Sequence, residues 1–164
     1  MTSINITPAS YRDLAEILAL QKLCYQKEAD RYDDHTIPPL TQTLGEIQSE
    51  FSSTTFLKAI DGGRIIGSIK GRIDAGTCHV GRLMVHPDFR GKGLGKRLVQ
   101  QLEQVMQGQD GHVTRFELFT GERSHDNIAL YLGLGYEIYK KEAYDASKNI
   151  VYMEKRVARE SRAT

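Results

Sequence analysis

The sequence predicts an α/β fold, a mixed sheet with helices on both faces, and three observations carry that prediction. Apolar residues switch repeatedly between strand and helix spacing, so neither element type is confined to one end of the chain. Strong turn chemistry separates the runs, most clearly at Asp61-Gly62-Gly63 and Asp74-Ala75-Gly76. The length of 164 residues, 40% of them hydrophobic, suits one domain spanning residues 1–164 with a substantial core.

Taken in order, Ile4–Ile6 reads as a first short strand ending at Pro8. Ser10 or Asp13 caps a helix whose apolar positions Leu14, Ile17, Leu18, Cys24 and Tyr25 keep helical spacing to about Arg31. Asp33-Asp34-His35 and Pro38-Pro39 break it, and Thr41 opens a shorter helix carrying Leu44, Ile47 and Phe51. Phe56–Ile60 and Ile65–Ile73 form a hairpin, and Cys78–Val85 follows as the next strand. Leu94, Leu98, Leu102, Val105 and Met106 mark one face of a helix that ends near Gly108. Phe116–Thr120 is a buried strand, Asn127–Leu134 a short helix, and Glu137–Tyr139 with Ile150–Met153 a closing strand pair. Residues 155–164 read as a loose polar tail.

Composition excludes several classes of function. Lys plus Arg number 22 against 21 for Asp plus Glu, so there is no broad basic field to hold nucleic acid. Cys24 and Cys78 have neither a CxxC partner nor a His/Cys ligand set nearby, and read as small buried hydrophobes rather than a disulfide or a metal site. No stretch approaches membrane-spanning length and no signal segment opens the chain, so a cytoplasmic location without membrane association is expected.

The chemistry-bearing segment is Val85-His86-Pro87-Asp88-Phe89-Arg90-Gly91-Lys92-Gly93-Leu94-Gly95-Lys96. Gly91, Gly93 and Gly95 remove side chains where main-chain N–H groups approach a ligand, and the helix that begins there adds unpaired N–H groups and a positive dipole end. Arg90, Lys92 and Lys96 add positive charge, so the loop suits a phosphate or pyrophosphate. A nucleoside triphosphate loop fails on spacing: Arg90 stands where the first glycine belongs and Arg97 where a magnesium-binding hydroxyl belongs. The dinucleotide fingerprint meets Lys96 at its last glycine position and lies mid-chain, which disfavours NAD.

Arg90-x-x-Gly93-x-Gly95, preceded by Leu83-Met84-Val85-His86-Pro87, resembles the acetyl-CoA loop of the GNAT superfamily of N-acetyltransferases. Asn127-Ile128-Ala129-Leu130-Tyr131-Leu132-Gly133-Leu134-Gly135-Tyr136 resembles the companion signature of that family, a short helix bearing Asn and Tyr that ends in Leu-Gly before an aromatic residue. The resemblance covers Thr55–Met153 and leaves the first fifty residues matched only in pattern. It implies a mixed, mostly antiparallel sheet in which the Cys78–Val85 and Phe116–Thr120 strands diverge around acetyl-CoA. The pyrophosphate would rest on Arg90, Gly91, Lys92, Gly93, Leu94, Gly95 and Lys96, the pantetheine would pair with the backbone of Leu83, Met84 and Val85, and Asn127 and Tyr131 would complete the binding set. No metal is implied.

Amide formation from a thioester needs a base for the ammonium, a donor for the oxyanion and an acid for the thiolate. The resemblance makes Tyr131 the general acid and a backbone N–H near Leu83 or Met84 the oxyanion donor. His79 is the first choice of base because imidazole titrates near neutral pH, with Glu28 and Tyr25 as rivals and Glu117 disfavoured as solvent-facing. The expected reaction is direct acetyl transfer, through a tetrahedral intermediate, to a primary amine of a small molecule or peptide. The acidic run Glu28, Asp30, Asp33 and Asp34 would attract a cationic acceptor, although a solvated helix end explains the same residues. The alternative is a non-catalytic acyl-CoA sensor or scavenger, since binding and acceptor residues are separable. Related folds often pair through sheet edges or terminal strands, so a homodimer stays open as an expectation.

Overall fold

The computed structural model describes residues 3–157. Among these, one seven-stranded sheet has the order β1-β2-β3-β4-β5-β7-β6. β1 (Asn5–Pro8), β2 (Thr55–Asp61), β3 (Arg64–Asp74) and β4 (Thr77–Val85) run antiparallel as neighbours, and β5 (Arg115–Gly121), β7 (Asn149–Arg156) and β6 (Glu137–Ala143) form a second antiparallel group. Among the described residues the only parallel seam joins the groups, where β4 meets β5 at Thr77↔Arg115, Cys78↔Phe116 and His79↔Glu117. Past His79 the two strands separate, and the resulting gap organises the site.

The helices between strands are α1 (Leu14–Cys24), α2 (Gln26–Tyr32), α3 (Pro38–Thr41), α4 (Leu44–Glu50), α5 (Leu94–Gln109) and α6 (His125–Gly133). α5 covers one sheet face, where Leu94, Leu98, Val99, Leu102 and Met106 pack on Leu57, Ile69 and Phe116. α1 and α4 cover the other, with Leu14, Ile17 and Ile47 against Phe56, Ile65 and Met84. Burying such side chains contributes roughly 1.5–3 kcal/mol each, which makes these two clusters the main support of the cleft between them. Gly67 and Gly71 let α5 sit down on β3: a Cβ at Gly67 would meet Leu98 Cδ1 at 3.1 Å, and one at Gly71 would meet Leu102 Cδ1 at 3.3 Å.

Four local readings are corrected. The helix expected to run from Leu14 to about Arg31 is interrupted at Tyr25, whose ψ is 0°, so α2 leaves α1 at a kink while Ala29 N–H still donates to the Tyr25 carbonyl. The helix placed after Thr41 is capped instead by Thr43, whose hydroxyl accepts from Glu46 N–H while Glu46 accepts from Thr43 N–H, a capping box at Thr-x-x-Glu spacing. Pro38 and Pro39 open the short α3 rather than only breaking a helix, as proline is pre-organised for a first turn. The tail expected from Lys155 starts later, because Lys155 and Arg156 belong to β7 and Lys155 Nζ reaches Glu103 at 2.8 Å; the part of it at 158–164 lies outside the described residues. Cys24 and Cys78 are both free and buried, as expected. Among the described residues no helix is long and apolar enough to cross a membrane, and no His/Cys/Asp/Glu group could hold a metal ion.

Candidate active site

Two cavities open into the gap between β4 and β5 and share Tyr25, Glu28, Leu83 and Asn127 along their common border. The first, of about 370 Å³, lies against the glycine loop. The second, of about 580 Å³, lies between α2, α3 and the sheet, and Tyr131 is in its wall. Such volumes suit small-molecule ligands.

The first cavity is built for an anion. Gly91 and Gly93 take φ of +77° and +78°, the left-handed region that side chains disfavour, and each has open space where a Cβ would stand. Gly93 is the N-cap of α5 and no side chain caps that end; the first ladder bond visible there is Arg97 N–H to the Gly93 carbonyl at 3.1 Å. The N–H groups of the first turn are therefore left for a ligand, at the positive end of a 16-residue helix. Gly95 faces Leu130, Leu83 and Val85, with ordinary contact distances of 3.5–4.0 Å for an added Cβ. Arg90 is anchored by its Nε to the Val85 carbonyl at 3.2 Å, and Cys24 Sγ lies 3.4 Å from that same carbonyl. Arg90 and Lys96 line the cavity. Lys92 does not line it; its Nζ lies 5.6 Å from the Phe89 ring centroid.

The end of β4 is shaped by a bulge. Its register with β3 shifts between Ser68↔Met84 and Lys70↔Gly81, so Arg82 and Leu83 together oppose Ile69. The extra residue reverses the alternation: Cys78 and Val80 face the α5 cluster before it, Leu83 and Val85 face the same cluster after it, and Met84 joins the α1 cluster. Arg82, at φ +51°, carries the turn and lines the second cavity. A pantetheine chain would find in the opened β4 edge the backbone groups that β5 no longer pairs.

Tyr131 is 7% exposed, its ring centroid 5.9 Å from that of Tyr136. Burial, reinforced by the neighbouring Tyr25 and Glu28, raises its phenol well above the usual 10.0, so the hydroxyl stays protonated at neutral pH. Tyr25 is likewise pushed up to about 12 by burial, against the lowering charge of Arg82, and its hydroxyl lies 3.5 Å from the Leu83 carbonyl. Both phenols therefore stay protonated at neutral pH, which argues against Tyr25 as a base, while the upward shift makes each a weaker acid than an ordinary phenol and leaves proton donation to depend on positioning.

Glu28 stands where the cavities meet. One carboxylate oxygen accepts from Arg31 at 2.7 Å and the other from Ser124 Oγ at 2.6 Å. Ser124 is fully buried and lies 3.0 Å from Tyr32 Oη, which in turn accepts from Arg123 N–H at 2.8 Å. This chain fixes the carboxylate against α6. His79 also lines the second cavity, but on the last paired rung of β4 and β5, with Nδ1 3.2 Å from Glu117 Oε1. Leu83 is four residues further along β4, roughly 10 Å or more at strand spacing, so His79 cannot reach a group at Leu83 directly. Glu117 does not face solvent as expected: it is half-buried and bonds Arg115 at 2.8 Å and Tyr139. Burial opposes its ionisation, but the hydrogen bonds from Tyr139 and Arg115 outweigh that and lower its pKa.

Asn127 lines both cavities and its Nδ2 lies 3.4 Å from Thr120 Oγ1. Three of the four acidic residues of the predicted cation-attracting run are already paired, Glu28 with Arg31, Asp30 with His35 and Asp34 with Lys148. Sequence reasoning missed Ser124 and Tyr32, which are 92 residues apart, and the cationic wall of Lys70, Arg72 and Arg82. No local pattern marks either; the bulge that turns Arg82 round has no signature in Gly81-Arg82-Leu83.

Comparison with known proteins fits this geometry. "UPF0157 protein YqkA" of Bacillus subtilis is 29% identical over 136 residues, 83% of this chain and 37% of that protein, so the chain spans little more than a third of that relative. The PaiA N-acetyltransferase of Thermoplasma acidophilum, solved in complex with coenzyme A, superposes with a TM-score of 0.73 at 22% identity, covering 94% of this chain and 99% of that one. The ribosomal-protein-S18-alanine N-acetyltransferase of Escherichia coli reaches 0.79 at 15% identity, covering 99% of both. Residues 14–136, from the start of α1 to the tyrosine after α6, match the Acetyltransferase (GNAT) family. A sheet split at β4 and β5, a helix N-terminus left bare for an anion and a matching family domain agree, and the chain belongs to the GNAT acetyltransferases.

Proposed function

We propose that the protein transfers the acetyl group of acetyl-CoA to a primary amine, with donor and acceptor entering the β4–β5 gap from opposite cavities. The observation that carries this reading is the shared border of the two cavities at Tyr25, Glu28, Leu83 and Asn127, directly beside Tyr131. Arg90, Lys96 and the free N–H groups at the start of α5 would hold the pyrophosphate, and the unpaired β4 edge at Leu83–Val85 would pair with the pantetheine.

The chain's own residues then divide the proton work. Glu28, a carboxylate held by Arg31 and Ser124, takes the proton from the incoming ammonium directly or through one water. A backbone N–H in the bulge at Leu83 or Met84 donates to the oxyanion. Tyr131, protonated at neutral pH, delivers its hydroxyl proton to the departing thiolate and regains one from the second proton that the nitrogen loses as the tetrahedral intermediate collapses to the amide. His79, tied to Glu117 at the far rung, is a weaker candidate for base than Glu28.

Ligand-induced thermal stabilisation tests the donor. CoA and acetyl-CoA should raise the melting temperature, while ATP and NAD at the same concentration leave it within error. Stabilisation by ATP or NAD but by neither CoA species would overturn the reading. Stabilisation by acetyl-CoA without thiol release for any amine would favour a sensor.

A further inference from the structure

The second cavity holds more positive charge than its own carboxylates balance. Lys70 and Arg72 on β3 and Arg82 on β4 line it together, and of the three only Lys70 is bonded to a carboxylate, that of Glu50. Among the described residues neither Arg72 nor Arg82 forms an ion pair, and Arg82 Nε is fully buried with no hydrogen-bond acceptor. The other charged residues of the lining are already committed, Lys148 to Asp34 and Glu28 to Arg31 and Ser124. Among the described residues no nitrogen of the Arg82 guanidinium has a protein acceptor, and a carboxylate in the cavity would supply one to the nitrogens that line it.

The bulge shows that this arrangement depends on one irregularity. In an uninterrupted β4, alternation from Val80 would send Arg82 into the apolar cluster under α5. The extra residue, at φ +51°, turns it into the cavity instead. Lys70 feels the result: burial lowers its pKa, and the charges of Arg82 and Arg72 lower it further against the pull of Glu50. Tyr25 feels both charges, Arg82 lowering its pKa and Glu28 raising it. Glu28 lines both cavities and Arg82 lines the second, so both face the space an acceptor would occupy.

We propose that the acceptor is a small amine carrying a carboxylate, of amino-acid type, whose ammonium meets Glu28 while its carboxylate is gripped by Arg82 with Arg72 behind it. Guanidinium matches a planar carboxylate through two parallel hydrogen bonds, a fit that ammonium groups do not offer. Ile37, Pro39, Leu118, Phe119 and Ile150 supply apolar surface for the body of such a molecule. This departs from the cationic acceptor expected from the acidic run, because Asp30 and Asp34 are bonded to His35 and Lys148 and the unbalanced charge of the cavity wall is positive. The inference rests on the acetyltransferase reading.

The test measures acetyl-CoA-dependent thiol release with amino acids, their carboxamides and putrescine, on the wild type, Arg82→Gln and Arg72→Gln. For the best amino acid, kcat/KM should exceed that of its carboxamide at least tenfold, and the ratio should fall below about threefold in Arg82→Gln. Raised salt should lower the ratio in the wild type, which reads the same contact without a variant. Preference for carboxamides or putrescine, or a ratio that neither variant changes, would overturn the proposal while leaving acetyl transfer intact. If no amine is acetylated, the function itself fails, and the carboxylate site is then read by thermal stabilisation of the CoA-loaded protein. Stabilisation by amino acids and not by carboxamides supports the site; equal stabilisation refutes it.

Discussion

At the scale of single residues, the proposed mechanism rests on Tyr131 and Glu28, and the roles proposed for them separate experimentally. Tyr131→Phe removes one hydroxyl from a buried ring and keeps its packing against Tyr136, so kcat should fall about 100-fold or more while acetyl-CoA binding is unchanged. An unchanged kcat would remove Tyr131 from the proton path. Glu28→Gln should flatten the acidic limb of the pH–rate profile, and His79→Ala should leave that limb in place; the reverse pattern would transfer the role to His79. Tyr131 can be singled out from the sequence because it sits inside a contiguous motif, and the structure places it in the wall of the second cavity. The choice between His79 and Glu28 is not legible there, since it depends on where β4 and β5 stop pairing, and that is a relation between strands distant in the chain.

Elements position these residues through backbone conformations that only glycine adopts cheaply. Alanine at Gly91 or Gly93 should cost about 1–2 kcal/mol of strain each at φ near +77°, and should weaken acetyl-CoA binding, measured by titration calorimetry. Gly121, at the end of β5, has a different reason. A Cβ there would stand 1.9 Å from Tyr32 Oη, the group that links Arg123 and Ser124 to Glu28. Gly121→Ala should therefore destabilise the fold by about 1–3 kcal/mol in chemical denaturation and lower activity together with it. Strand and helix positions were mostly readable, because periodicity and turn chemistry agree along β2, β3, β4 and α5. β6 was read short at Tyr139 because Lys140, Lys141 and Glu142 are exposed along an edge strand, where charge replaces the apolar alternation that reveals a strand.

Across the whole molecule, charge ties together two helices that line the gap proposed to admit the reactants. Lys27 and Arg31 of α2 reach Asp126 of α6 at 3.0 and 3.2 Å, joining the two helices that flank the cavities. Burial opposes ionisation of Asp126, but the Lys27 hydrogen bond and the charges of Arg31 and Lys27 prevail and bring its pKa from 3.8 to about 2. Because the folded pKa is depressed, this contribution to stability is complete above about pH 4 and is lost as pH falls through 2. The side chain is 50% exposed, so solvent screening limits its worth to about 1 kcal/mol or less, and Asp126→Asn should lower stability by that amount at pH 7 and by progressively less as pH falls through 2. The central claim, acetyl transfer across the split sheet, is tested most directly by incubating the protein with acetyl-CoA and an amine panel while recording thiol release and product mass. The account predicts that free thiol and singly acetylated amine appear in equal amounts and that both depend on Tyr131. Thiol release no faster than without protein, in a sample that binds acetyl-CoA, would contradict it.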